Sequence, residues 1–191
     1  MILQKKYEKL KTSLLPDLSE VGNPNFSGFN ENERIRISSF CLLVHAEIEH
    51  YIEEMLKEKV KDCFDNRDYT PSGTVVPSVC LKFGLSVKSN KNDGDIKVDQ
   101  ALSWYFKIVS ENHGIKSTNL VKLFDAIGLN EDELGSEFLS ETSSFGSTRG
   151  KLAHKSLEEF GEILNPVDIC GQIERILEHI RRLKKLVDSL S

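Results

Sequence analysis

Arg149 and His154 stand with four residues between them in the stretch 143–156, S-S-F-G-S-T-R-G-K-L-A-H-K-S. A guanidinium matches phosphate oxygens in a fork, and an imidazole exchanges protons near neutral pH. Used together without a metal, the two side chains suit cleavage of RNA by attack of its own 2′-hydroxyl. The histidine would serve as general acid or base, and the arginine would stabilise charge on a phosphorane-like transition state. Two acids join them as candidates, Glu47 and Glu49, because each interrupts an apolar stripe of the longest helical segment. A single acid in such a place usually reaches an edge or a buried partner. One in each stripe keeps both in view.

By spacing alone, an arginine and a histidine five apart most often form a solvated helix face. Other chemistries leave weaker traces. Glu47-x-x-His50 has the spacing of carboxylate-bridged di-metal bundles, but such sites need a second E-x-x-H from another helix, and the sequence has none. H-E-x-x-H, glycine-rich phosphate loops, nucleophile elbows and dinucleotide fingerprints are missing as well. The expectation is therefore no metal and no cofactor.

The 191 residues suffice for one domain with its own core, with residues 67–94 as a loop-rich insertion and 166–190 as a closing helix. A hydrophobic share of 39% with 29% charged residues argues for a folded chain. The net charge of −5 argues against a broad basic surface that coats nucleic acid, though not against a small basic site. Cys41, Cys63, Cys80 and Cys170 are far apart in sequence, which excludes a zinc ribbon and favours thiols packed as small hydrophobes. Residues 1–15 are lysine-rich and amphipathic, unlike a signal peptide, and no apolar run approaches a bilayer span. A soluble, cytoplasmic protein with no membrane partner is expected.

Helical periodicity dominates the elements that must position these side chains, so the fold is read as all-α. Residues 2–15 suit a short amphipathic helix closed by Pro16, followed by a loop over 21–30. A long helix then runs from Asn30 or Glu31 to Asp65. One stripe is Ile37, Phe40, Val44, Ile48, Tyr51 and Met55, and the opposite one is Ile35, Leu42, Ile52 and Leu56. A helix apolar on two faces is a central one. In residues 67–94, segments 74–76 and 81–87 read as short strands or as packed loop with a helical turn. Helices follow over 96–111, over 119–127 with Ser117 or Thr118 as cap, and over 132–139. The segment carrying Arg149 and His154 extends from 140 to 155, with Gly161 in a loop beyond it. Asn165-Pro166 opens the last helix, whose Ile173, Ile176, Ile180, Leu183, Val187 and Leu190 form a seam too short for a free coiled coil.

Five residues along a helix correspond to a rotation of about 140° and a rise of about 7.5 Å, so Arg149 and His154 are not side by side. Ser143, Gly146, Gly150 and Ala153 form a stripe of small residues between them, while Phe145 and Leu152 point towards the core. A second copy packed stripe to stripe would bring Arg149 and His154 of both chains around a shared cleft, and two-fold pairing is the commonest assembly.

The segments R-G-K-L-A-H, N-L-V-K-L-F-D-A-I-G-L and L-L-V-H-A-E-I-E-H-Y-I-E-E-M together resemble the HEPN superfamily, and most closely its RiboL-PSP-HEPN-like group of predicted ribonucleases. The likeness extends from about Arg34 to the C-terminus, outside 67–94. It implies a HEPN-like helical bundle in which an R-x4–6-H motif supplies the catalytic pair, falling here on Arg149 and His154. The supporting acid falls best on Glu49, with Glu47 second. It further implies a metal-independent endoribonuclease in a toxin, phage-defence or stress setting. The implied partners are an RNA substrate, a second copy that completes the site, and an antitoxin or regulatory protein. Many such domains are accessory modules, so the alternative is a non-catalytic module for dimerisation or protein binding. The residue after the arginine is commonly polar in this family, and here it is Gly150, which serves close helix packing or marks a weakened site.

Overall fold

The computed structural model describes residues 2–16, 28–66, 74–84, 94–154 and 165–191. Among these the chain forms eight helices and no strand: α1 (Ile2–Leu14), α2 (Glu31–Asp65), α3 (Val75–Lys82), α4 (Gly94–Ser110), α5 (Ser117–Asp125), α6 (Glu131–Leu134), α7 (Ser136–His154) and α8 (Pro166–Ser189).

Local chemistry fixes several of the helix ends. Asn30 accepts a hydrogen bond from the Glu33 backbone N–H at 3.0 Å, and the Glu33 carboxylate accepts from the Asn30 N–H at 2.8 Å. This reciprocal box starts α2, and Asn130 with Glu133 repeats it at α6. Asn165 accepts from the Val167 N–H ahead of α8, with Pro166 in the first turn. Between α6 and α7, Gly135 adopts φ of +87°, a left-handed backbone that a side chain would strain. That residue splits the expected 132–139 helix in two and lets α7 begin earlier than the periodicity suggests.

Two starts are supplied from a distance. The Thr74 and Val75 N–H groups at the head of α3 donate to the Ser191 carbonyl at 2.5 and 3.0 Å. At α5, neither Ser117 nor Thr118 is the cap. Lys116 holds the cap position without a side-chain bond, and the Ser117 N–H donates to Ser143 Oγ of α7 at 2.9 Å. Within 67–94, the strands considered for 74–76 and 81–87 give way to the helix α3, while 67–73 and 85–93 lie outside the described residues. So do 17–27, which include most of the loop expected over 21–30, as well as Lys155 at the end of the motif segment and Gly161 in the loop beyond it.

α2 is the axis of the bundle and packs against α1, α3, α4, α7 and α8. Ile37, Phe40, Val44 and Ile48 of its first stripe are all at most 1% exposed. Its second stripe is covered only along its C-terminal part: Ile52 and Leu56 are buried, whereas Ile35 stays 42% exposed. α8 lays Ile169, Ile173, Ile176, Ile180, Leu183 and Val187 into the core. Cys41, Cys63 and Cys170 are buried and Cys80 partly so, and none of the four forms a disulfide. No helix among the described residues is long and apolar enough to cross a membrane.

Ile48 has no exposed surface, whereas Leu43 on the same helix is 47% exposed. Ile48→Ala should therefore cost about 2–5 kcal/mol of stability, and Leu43→Ala should stay within about 0.5 kcal/mol. Urea unfolding of both variants checks this contrast.

Candidate active site

Four-residue spacing keeps side chains on one helix face. On α2 it aligns His45, Glu49 and Glu53, and this row faces the α4–α5 connection and α7. Gly114 lies in that connection with φ of +101°, and Asn119 holds the turn by donating to the His113 carbonyl at 2.9 Å and the Gly114 carbonyl at 3.2 Å. The turn aims two donors at α2. The Gly114 N–H makes a short hydrogen bond to Glu49 Oε1. Asn112 Nδ2 donates to Glu53 Oε1 at 2.8 Å and, more weakly, to Glu49 Oε1 at 3.4 Å.

His45 lies one turn before Glu49 and is only 2% exposed. Its Nδ1 is 3.7 Å from Glu49 Oε2, too long for a hydrogen bond. Its ring packs on Phe145 of α7, centroid to centroid 5.9 Å, tilted by 43°. Two glycines border the other edge. A Cβ on Gly114 would lie 3.6 Å from Cε1 and 3.7 Å from Nε2, and one on Gly146 would lie 3.9 Å from Nε2.

Arg149 emerges from α7 exposed, near enough for its charge to act on both His45 and Glu49. Burial, aided by that cation, pushes the His45 imidazole down to about 4, so the ring is neutral at pH 7. Burial raises the Glu49 carboxyl, and the neighbouring Glu53 charge raises it further. The Gly114 N–H and the charges of Arg149 and His113 pull the other way. The cluster is thus a partly buried acid beside an exposed guanidinium, with a neutral imidazole beneath.

The other sequence candidates are placed differently. Glu47, two residues from Glu49, is rotated by about 160° on the helix. It pairs with Lys6 of α1 at 2.5 Å and shares a groove with His50, Tyr51 and Met55, away from Arg149. His154 ends α7 in an exposed position. Among the described residues, no hydrogen bond or ion pair joins it to Arg149, Glu47 or Glu49. The small-residue stripe is also not free along its length. Ser143 caps α5, and a Cβ on Gly146 would come within 3.1 Å of Lys116 Cγ. The α5 start fills that half because a serine and a glycine there let a backbone approach. Only the later half is open: Ala153 is exposed, and a Cβ on Gly150 would meet nothing within 4 Å.

Sequence reasoning missed His45, Glu53, Asn112 and Gly114. The H-x3-E-x3-E register of α2 was there to be read, but the more familiar Glu47-x-x-His50 spacing drew attention instead. Among the described residues, no group of three or more histidine, cysteine or acidic side chains could hold a metal ion.

A family model described as RiboL-PSP-HEPN matches residues 5–190, so the chain belongs to the RiboL-PSP-HEPN family. The match is wider than the segments that suggested it and takes in α1 and the 67–94 region. No curated protein and no solved structure matches the chain.

The depressed imidazole has a measurable consequence. Unfolded, His45 takes a proton near pH 6.5; folded, it resists protonation down to about 4. Stability is therefore complete above pH 6.5 and is lost as pH falls towards 4, by up to about 3 kcal/mol. Glu49, shifted upwards, acts in the opposite sense and offsets part of the loss at the acidic end. Urea midpoints at pH 7 and pH 5 should fall for the wild type and fall clearly less for His45→Leu.

Proposed function

We propose that the protein is a metal-independent endoribonuclease. The observation that carries this reading is Arg149, exposed on α7 with its charge acting on the anchored carboxylate of Glu49, in a member of the RiboL-PSP-HEPN family. In this reading Arg149 binds the scissile phosphate and neutralises the charge that grows on its oxygens. Glu49 orients the guanidinium and is itself oriented by the Gly114 N–H and Asn112. His154 moves the proton: it takes one from the 2′-hydroxyl or gives one to the departing 5′-oxygen. The 2′-oxygen bonds to phosphorus as the P–O5′ bond breaks, leaving a 2′,3′-cyclic phosphate and a 5′-hydroxyl. No step needs a metal. The family points to a toxin, phage-defence or stress setting, with an antitoxin or regulatory protein as a further partner.

His154 lies outside the Glu49 cluster of its own chain, so the reading includes a second copy. Around Gly150 and Ala153 the surface of α7 is open and carries Arg149, Lys151 and His154. Two copies crossing there would set His154 of each chain against Arg149 of the other. That same separation favours the second reading, a non-catalytic module for dimerisation or protein binding in which Arg149 and His154 are structural residues.

Purified protein in EDTA should cut single-stranded RNA to 2′,3′-cyclic phosphate ends, and His154→Ala should slow cutting by at least about a hundredfold with folding unchanged. Cutting that survives in the variant removes this site from the reaction, and absence of cutting by the wild type favours the binding module. The assembly has a separate check. Gly150→Leu has room within one chain, so its thermal unfolding should be little changed, while light scattering should show fewer dimers. A monomeric wild type refutes the shared site.

A further inference from the structure

We propose that His45 is the positioning residue of this site, a hydrogen-bond donor that closes onto Glu49 Oε2 when a phosphate takes up the Arg149 charge. The position would otherwise be filled by an apolar side chain: the ring is 2% exposed, packed on Phe145 and bordered by two glycines. A buried polar group in such surroundings calls for a polar partner. The side of the ring that carries Nδ1 is turned to Glu49, 3.7 Å away.

The two carboxylate oxygens are treated differently. Oε1 already accepts from the Gly114 N–H and Asn112, whereas Oε2 faces only Nδ1 in this row. Gly114 both borders the ring and donates to the acid, so the imidazole sets the spacing between α2, the α4–α5 turn and α7. The charged and titratable groups around it are Glu49 and, a turn further, Glu53 on α2; His113 and Lys116 on the connection; and Arg149 on α7. While Arg149 is free, its cation stabilises the Glu49 carboxylate. Among the described residues Arg149 makes no hydrogen bond or ion pair with Glu49, so a phosphate that takes up its charge removes only a more distant attraction, and a rotation of the ring or carboxylate that shortens the 3.7 Å gap by less than 1 Å supplies a hydrogen bond in its place. With the Nδ1–H tautomer, Glu49 stays ionised and in place through the reaction.

The inference rests on the ribonuclease reading for its kinetics but not for its titration. Three variants separate a donor from a filler: His45→Asn, whose amide reaches the Nδ1 position; His45→Gln, whose amide reaches the Nε2 position; and His45→Leu, which fills the space without a donor. Carbon-detected NMR of the full chain with a 2′-O-methyl oligoribonucleotide follows the Glu49 carboxyl. Its titration should move up by about half a unit or more in the Gln and Leu variants and remain near wild type in the Asn variant. With cleavable RNA, kcat should fall about tenfold to a hundredfold for Gln and Leu with KM within about twofold, and Asn should recover most of it. If all three titrate and cleave alike, the donor role is refuted. If the wild type does not cleave, the ribonuclease reading fails and the carboxyl titration alone decides for or against His45. Should the Leu variant not fold, the comparison of Asn with Gln carries the same decision.

Discussion

The hydrogen bond from the Gly114 N–H to Glu49 ties together the three elements from which the candidate site is made. It joins α2 to the α4–α5 turn, and α7 is closed against the same place through Phe145 and Gly146. A carboxylate removed partly from water must be compensated, and a backbone N–H with a fixed direction compensates it while defining where it points. The left-handed φ of Gly114 is what aims that N–H at α2. Asn119 holds the turn in that shape from the next helix. The acid is therefore positioned by the fold rather than by its own side-chain preferences.

Electrostatics then decides which groups near the acid are charged. His45 and Arg149 both neighbour Glu49, but the imidazole is buried and the guanidinium reaches solvent. A buried imidazole gives up its proton, whereas an arginine keeps its charge in almost any surroundings. The result is a partly buried acid, an exposed cation and a neutral ring within a few side chains. Glu47 has the same chemistry as Glu49 but no such setting, since it lies at the surface with Lys6.

Elements whose ends are encoded next to themselves were legible in the sequence. The start at Asn30 or Glu31 and the Asn165-Pro166 pair announce α2 and α8, and the stripes along α2 mark it as central. Phe145 and Leu152 anchor α7 as their spacing suggested. Elements whose ends depend on distant residues were not legible. α3 starts on the Ser191 carbonyl and α5 on Ser143 Oγ, and neither donor–acceptor pair has a local signature. The same limit applies to the site. Arg149 and Glu49 could be singled out by type and place, but Asn112 and Gly114 become partners of Glu49 only once a turn closes on α2. The stripe of small residues was read as one surface, yet its first half is used inside the chain because a serine and a glycine there accommodate the α5 start.

That division of the stripe bears on how one helix can serve a site of two halves. Arg149 and His154 are about 140° apart around α7, on opposite flanks of the helix. A dyad through the open Gly150–Ala153 half exchanges the flanks of the helix: the arginine side of one copy then faces the histidine side of the other. In the proposed assembly the half occupied by α5 takes no part, and the crossing falls at the end of α7 that carries Arg149, Lys151 and His154. Gly150 is central to that patch. In the proposed assembly a polar side chain there would stand between the two helices, whereas glycine leaves the backbones free to approach. Its lower helix propensity, about 1 kcal/mol relative to alanine, is offset by the packing of Phe145 and Leu152 on the other side of the same helix.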